Sequence, residues 1–184
     1  MGPRFVRQAA LFYGALAVLA AVWNGLRGRE FALSGSIPLS FLLGFLTAVV
    51  TVTLGVLFYW FVPTMRRISD ELAPALVDGT DRSSLVLISL FSGISEEMLF
   101  RGTVQPEFGL VVAALAFGLV HIGPDRRYLL WTAWAVLAGF LFGFLYEISG
   151  GLLAPVIAHA THNAATFLLW KRSRKKLVER DERW

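Results

Sequence analysis

The sequence predicts an all-α fold, a polytopic transmembrane helical bundle of about six spans. Three observations carry that prediction. Of the 184 residues, 56% are hydrophobic and 16% charged, whereas a soluble globular domain carries roughly 25% charge. The apolar residues fall in stretches long enough to cross a hydrocarbon core, roughly 17–25 residues each. Lysine and arginine are distributed unevenly between the loops on alternate sides, as expected of a membrane protein. The mean hydropathy of +0.62 is too high for a single core of this size and calls for lipid as a second apolar solvent. The expected organisation is a single membrane domain over residues 1–184, with a core at about 85–170 and a basic tail at 171–184.

The first span runs from about Phe5 to Leu26, with an uncharged centre from Gln8 to Gly25. A secretory signal peptide is the competing reading, because Arg4 and Arg7 resemble a charged leading region. Trp23 and Asn24 stand where a small-residue cleavage site would lie. The second span covers about Ile37 to Val62 and Pro63 helps to stop it. A polar stretch from Thr64 to Ser84 follows, with room for a short surface helix. A third span begins near Leu85 and contains Glu96, Glu97 and Arg101. A short fourth runs from about Phe108 to Ile122, and Gly123-Pro124 ends it. The fifth covers Tyr128 to Tyr146, Gly150-Gly151 breaks the chain, and the sixth covers Leu152 to Trp170. The third and fourth are the two that could be tilted or re-entrant.

With the N-terminus inside, all but three of the seventeen Lys and Arg residues lie on the inner side. Arg27 and Arg29 fall outside and Arg101 falls within a span. Both termini are therefore expected in the cytoplasm of a multi-pass protein, most naturally of the cell membrane. The net charge of +4 belongs to those inner loops, and no nucleic-acid partner is expected. The absence of cysteine excludes a disulfide framework, thiolate metal ligands and a cysteine nucleophile.

Ionisable residues at membrane depth cost a few kcal/mol each and persist when paired, hydrated or functional. The polar intruders are Glu96, Glu97 and Arg101 in the third span, His121 at the end of the fourth, and His159, His162 and Asn163 in the sixth. Glu97 and Arg101 are four apart with the acid first, the favourable order for an ion pair on one helix face. Glu96 lies about 100° round the helix and is left as the spare carboxylate, suited to a general base in an apolar setting. An inert charge cluster is the alternative for these three. His159 and Asn163, also four apart, present an imidazole and an amide from one face, a pairing suited to an oxyanion or simply to helix–helix adhesion. His121 alone reads as a satisfied helix-end histidine. Together, a carboxylate, imidazoles and an amide on three separate helices are the ingredients of hydrolysis.

At these residues the sequence resembles the CPBP family, the CAAX-protease and bacteriocin-processing (Abi) proteins. A Glu-Glu-x-x-x-Arg motif is matched by Glu96-Glu97-Met98-Leu99-Phe100-Arg101, Phe-x-x-x-His by Phe117 to His121, and His-x-x-x-Asn by His159 to Asn163. The resemblance covers about Leu85 to Trp170. It implies an intramembrane endopeptidase that cleaves a membrane-bound or lipid-anchored protein or peptide in the bilayer. Glu96 and His121 would activate water, His159 and Asn163 would form the oxyanion site, and Glu97 and Arg101 would support the first motif. Members have been called metalloproteases and also glutamic-type proteases. This chain has no His-Glu-x-x-His pair, so no metal cofactor is the expectation. A zinc site on Glu96, His121 and His159 is the alternative. With two spans before the first motif, the chain is short at its N-terminal side.

Rival readings are weaker. Gly93-Ile94-Ser95 hints at a rhomboid-like serine protease, but Glu96 follows where a small residue is expected. An aspartyl protease needs aspartates in spans, and here they lie outside them. A non-enzymatic protein, either an ion-coupled transporter or a helix-binding scaffold, is the better rival. It would depend on a gradient or a partner, where a peptidase needs neither.

Overall fold

A computed structural model describes residues 2–181, and side chains for residues 4–174. Every regular element among the described residues is helical, as the composition predicts. In chain order these are α1 (Gly2–Leu26), α2 (Ile37–Phe61), α3 (Pro63–Val77), α4 (Arg82–Leu99), a π-turn (Phe100–Val104), α5 (Gln105–Leu119), a short 3₁₀ turn (Arg126–Tyr128), α6 (Leu129–Ser149) and α7 (Leu153–Asp181). Four helical stretches are long and apolar enough to cross a membrane: Arg4–Leu26, Ile37–Phe61, Arg82–Leu119 and Arg126–Ser149. The apolar half of α7 carries His159, His162 and Asn163, which dilute its hydropathy. Large apolar side chains such as Leu11, Phe41, Trp60 and Leu137 point outward, which suits lipid and not water. The chain is an integral membrane protein.

The expected third and fourth spans form one continuous helical stretch that folds back on itself. In a straight helix, Glu96 and His121 would lie roughly 37 Å apart at 1.5 Å per residue. Their side chains are instead 4.0 Å apart, and the Phe100 and Phe117 rings meet at 5.1 Å. The reversal sits at Gly109, with φ 85° and ψ 166°, a region open essentially to glycine alone. Beyond it α5 is short, as the sequence suggested.

The boundaries follow local chemistry. Pro63 occupies the first turn of α3, where its missing N–H costs nothing. The expected surface helix in the Thr64–Ser84 stretch is α3, whose Met65 and Ile68 pack on Tyr128. Asp81 caps α4 by accepting from the Ser84 backbone N–H at 2.9 Å. Gly150, at φ 71°, ends α6 as a left-handed cap. The charged residues after Trp170 continue α7 as far as Asp181.

Small residues let the helices meet closely. A methyl group added at Gly93 would stand 2.9 Å from Ala160, bringing α4 against α7, and one at Gly139 would stand 2.9 Å from the Ala114 carbonyl, bringing α6 against α5. On α2, Ser40, Gly44, Ala48 and Thr51 are buried at every third or fourth position and face α7, where Gly44 meets Ile157. α1 packs on α4: Asn24 is buried and donates from Nδ2 to the Gly102 carbonyl at 2.9 Å.

The loops gather at two ends. At one, Glu71 meets Arg127 at 2.8 Å, Arg174 pairs with Asp78 at 2.6 Å, and Lys171 donates to the Thr80 carbonyl at 2.5 Å. At the other, Arg27 and Arg29 both pair with Glu107. There the Leu152 N–H donates to the Ala32 carbonyl and the Leu153 N–H to the Leu33 carbonyl, both at 2.9 Å. These are the two sets of segments that the charge census assigns to inside and outside.

Candidate active site

Helix α4 supplies the acidic side of the site. Glu97 and Arg101 are almost completely buried and joined at 3.0 Å, the i, i+4 pair expected from their spacing. The guanidinium also donates to the Gly139 carbonyl at 3.1 Å and lies over the Phe117 ring, 4.4 Å from its centre. Its charge is thus met by a carboxylate, a helix carbonyl and a π-face, which a charge held out of water requires.

Glu97 has a second partner that spacing does not reveal. Its Oε1 lies 2.7 Å from His159 Nδ1 on α7. The same oxygen accepts from Arg101, and an ionised carboxylate only accepts, so His159 donates from Nδ1 and turns Nε2 away from Glu97. The His159 ring stacks on Phe142 at 5.3 Å and meets Phe117 edge-on at 5.8 Å. These contacts fix its plane.

Four residues further along α7, Asn163 donates from Nδ2 to Ser92 Oγ at 2.9 Å. The pairs 97–159 and 92–163 show that α4 and α7 run antiparallel. His159 and Asn163 therefore share a face, as expected, and both turn it to α4. Ser92 was not singled out from sequence, although its place four residues before Glu96 puts it on that residue's face. His162 turns instead to α2, where its Nδ1 lies 3.1 Å from Thr51 Oγ1.

Glu96 looks the other way, to the returning arm of the hairpin. His121 Nε2 stands 4.0 Å from Glu96 Oε2. That is too long for a direct hydrogen bond and is a separation one water can bridge. His121 Nδ1 lies 2.7 Å from the Phe117 carbonyl, an acceptor only, so Nδ1 is the donor there and Nε2 is the nitrogen turned to Glu96. The backbone at His121 is tethered from α6, where Thr132 Oγ1 donates to the His121 carbonyl at 3.2 Å. Glu96 Oε2 is buried without a hydrogen-bond partner among the described residues. Phe117 joins the two halves, since its ring also touches His121 at 4.7 Å. This gives its position in Phe-x-x-x-His a packing role.

Among the described residues, no three His, Asp or Glu side chains are grouped to hold an ion. Glu97 Oε1 is engaged by a guanidinium and an imidazole, and Asn163 offers an amide N–H.

Comparison with known proteins meets the site at the same residues. The model for "Type II CAAX prenyl endopeptidase Rce1-like" matches residues 80–165, a stretch that holds all three motifs. The chain is also 36% identical over 75 residues to the uncharacterized protein YpbD of Bacillus subtilis (strain 168). That alignment covers 41% of this chain and 39% of YpbD, so the chain matches well under half of that relative. No solved structure matches the chain. The resemblance to the CPBP family is thus supported over residues 80–165, where the chain is similar to the Rce1-like endopeptidases.

Proposed function

We propose that the chain is a CPBP-type intramembrane endopeptidase that hydrolyses a peptide bond in a membrane-associated or lipid-anchored substrate. The observation that carries the reading is the division of labour between adjacent carboxylates. Glu97 is bound to Arg101 and His159, whereas Glu96 faces His121 across a gap the size of a water.

In this reading the nucleophile is a water held between Glu96 Oε2 and His121 Nε2. One of the two takes its proton as the oxygen attacks the scissile carbonyl. Glu97 fixes the His159 ring, and His159 Nε2 faces the site. To donate to the developing oxyanion, His159 must carry protons on both nitrogens. Asn163 Nδ2 gives one hydrogen to Ser92 and keeps the other for the same oxyanion. Proton return to the leaving amine completes hydrolysis. No step requires a metal. Both termini are placed in the cytoplasm, on the positive-inside rule.

The test is cleavage of a farnesylated, internally quenched Cys-aliphatic-aliphatic-Met peptide by protein in detergent, where no gradient exists. The expected result is cleavage by the wild type and none by Glu96→Gln with an unchanged thermal midpoint. Equal cleavage by the two proteins sinks the reading. Ion uptake that depends on a gradient and on Glu96, without cleavage, would replace it with a transporter.

A further inference from the structure

We propose that Gln105 and Glu147 are positioning residues for this centre: a hydrogen-bonded rung between the π-turn and α6 that holds Arg101, and through it the Glu97–His159 pair. The proposal rests on the peptidase reading above.

Two donors reach α6 in one register. Arg101 Nη2 donates to the Gly139 carbonyl and Gln105 Nε2 to the Gly143 carbonyl, both at 3.1 Å. The donors are four residues apart and so are the acceptors, so the π-turn and α6 run parallel with a constant offset. Each acceptor is a helix carbonyl giving its second lone pair, and each belongs to a glycine. A methyl group at Gly139 would stand 2.9 Å from the Ala114 carbonyl, and one at Gly143 would stand 2.7 Å from Gln105 Oε1. With glycine at both positions, α6 has no side chain there to interdigitate and fix its register. The two polar rungs fix it instead.

Gln105 is 6% exposed and uses both of its amide hydrogens. Besides the Gly143 carbonyl, Nε2 donates to Glu147 Oε1 at 3.0 Å. A carbonyl and a carboxylate both accept, so the amide can meet them only with its nitrogen. Its direction is thereby set. The need for a second rung comes from the π-turn. There the Gln105 N–H donates to the Phe100 carbonyl five residues back, a local widening common at functional sites. The regular repeat of α4 therefore does not set where Arg101 stands. Arg101 is held between Glu97 and the Gly139 carbonyl. The place of that carbonyl depends on the register of α6, which Gln105 and Glu147 fix one turn further on. If α6 shifts, the guanidinium follows, and Glu97 Oε1, which it shares with His159, moves with it. Neither Gln105 nor Glu147 belongs to the three motifs.

The experiment compares Gln105→Met, Glu147→Ala, Glu147→Gln and the double variant of the first two with wild type on the same farnesylated peptide. Methionine keeps the length of glutamine and leaves no new buried group unpaired, because Glu147 is exposed and the Gly143 carbonyl keeps its bond within α6. Gln105→Met is expected to lower kcat roughly 5- to 10-fold, the worth of one hydrogen bond, with KM unchanged. Glu147→Ala should lower it about 3-fold, since Gln105 keeps one partner. Glu147→Gln retains an acceptor oxygen and should match wild type. The double variant should lose no more than Gln105→Met, because both act through one contact. A second readout needs no turnover. The resonance of the proton on His159 Nδ1, assigned by its loss in His159→Ala, should move in Gln105→Met and Glu147→Ala and stay in Glu147→Gln. A rung that served stability alone would lower the thermal midpoint and leave kcat and that resonance as in wild type. A wild-type kcat in Gln105→Met and Glu147→Ala, or an unmoved His159 resonance in them, overturns the proposal. If Gln105→Met does not fold, Glu147→Ala decides by the same two measurements. Wild-type cleavage by a parallel Glu96→Gln sample would instead overturn the peptidase reading, and the resonance would still test the rung.

Discussion

Glu97 and His159 lie 62 positions apart in the chain and meet at 2.7 Å. The contact makes Glu97 a bridge between an ion pair and an imidazole, and so predicts two separable effects of removing it. Glu97→Gln leaves Arg101 buried and uncompensated, which typically costs roughly 3–5 kcal/mol, and its amide loses the charge that holds His159. A second substitution separates the two. Glu97→Gln with Arg101→Met removes both charges and should recover most of the thermal midpoint without recovering cleavage. If the double variant is both stable and active, Glu97 has no part in orienting His159.

The oxyanion side should be graded where the water side is absolute. In the proposed mechanism His121→Ala and Glu96→Gln remove the groups that hold the water, and both variants should show no measurable turnover in folded protein. Asn163→Ala removes one donor of two, and losing one such donor typically costs about 10²–10³ in rate. Its kcat should therefore lie between wild type and Glu96→Gln, with KM little changed. Full loss in Asn163→Ala with its thermal midpoint kept would move Asn163 from the oxyanion to the water. Activity in Glu96→Gln, combined with a dead but well-folded Glu97→Gln, would reverse the two carboxylates.

The hairpin makes a prediction that no contact explains. Nothing stands within 4 Å of a Cβ built on Gly109, so Gly109→Ala has room. Its backbone, at φ 85° and ψ 166°, lies where any side chain strains the chain by about 1–3 kcal/mol. The variant should melt earlier by a corresponding amount and, if it folds, should show a longer distance between spin labels at the two arms. An unchanged midpoint would mean that the reversal sits elsewhere.

What could be read from the sequence, and what could not, divides along one line. Relations within a helix were legible: Glu97 with Arg101, Glu96 left over, and His159 with Asn163 on one face all follow from 100° per residue. The stop at Pro63 and the break at Gly150 were legible because those residues restrict or permit backbone angles directly. A reversal between the third and fourth spans was expected, but its place at Gly109, inside a continuous helical stretch, was not, since Gly109 looks like any other glycine in a membrane helix. Nor were the partners across helices. Glu97 finds His159, and Asn163 finds Ser92, because Gly93 lets α4 approach Ala160. Nothing in the spacing of α4 or α7 alone announces that meeting.

At the end where the tail begins, Asp78 ties the α3–α4 turn to α7. The Arg174 guanidinium bound to it holds its carboxyl below the usual carboxylate range. A depressed folded value means that the contribution is fully present above the ordinary carboxylate pKa and is lost as the pH falls through the depressed one. Asp78→Asn should therefore lower the thermal midpoint slightly near neutral pH and converge with wild type in acid. The pair is exposed, and such pairs contribute about 0.2–1 kcal/mol, so high salt should also close the gap. A difference that persists in acid would assign the effect to the asparagine and not to the lost charge.

The metal question turns on what the donors are already doing. A catalytic zinc takes about three protein ligands near 2.0–2.2 Å and keeps one position open. A carboxylate that serves it must not also carry a guanidinium. Glu97 carries Arg101, and the i+4 position after His159 is an asparagine, so the compact histidine pair that pre-organises many zinc sites is missing. The ligands of the zinc alternative, Glu96, His121 and His159, come from three separate segments of the chain, and among the described residues no three such side chains are grouped to hold an ion. The expected outcome is cleavage that survives a chelator treatment sufficient to strip a zinc peptidase in parallel. Purified active protein should contain far less than one transition metal per chain by elemental analysis, and added zinc should not raise its kcat. Stoichiometric zinc, with activity lost on stripping and regained on zinc addition, would replace the carboxylate mechanism. Glu96, His121 and His159 would then be ligands, and the Glu97–His159 contact would be the outer interaction that orients one of them.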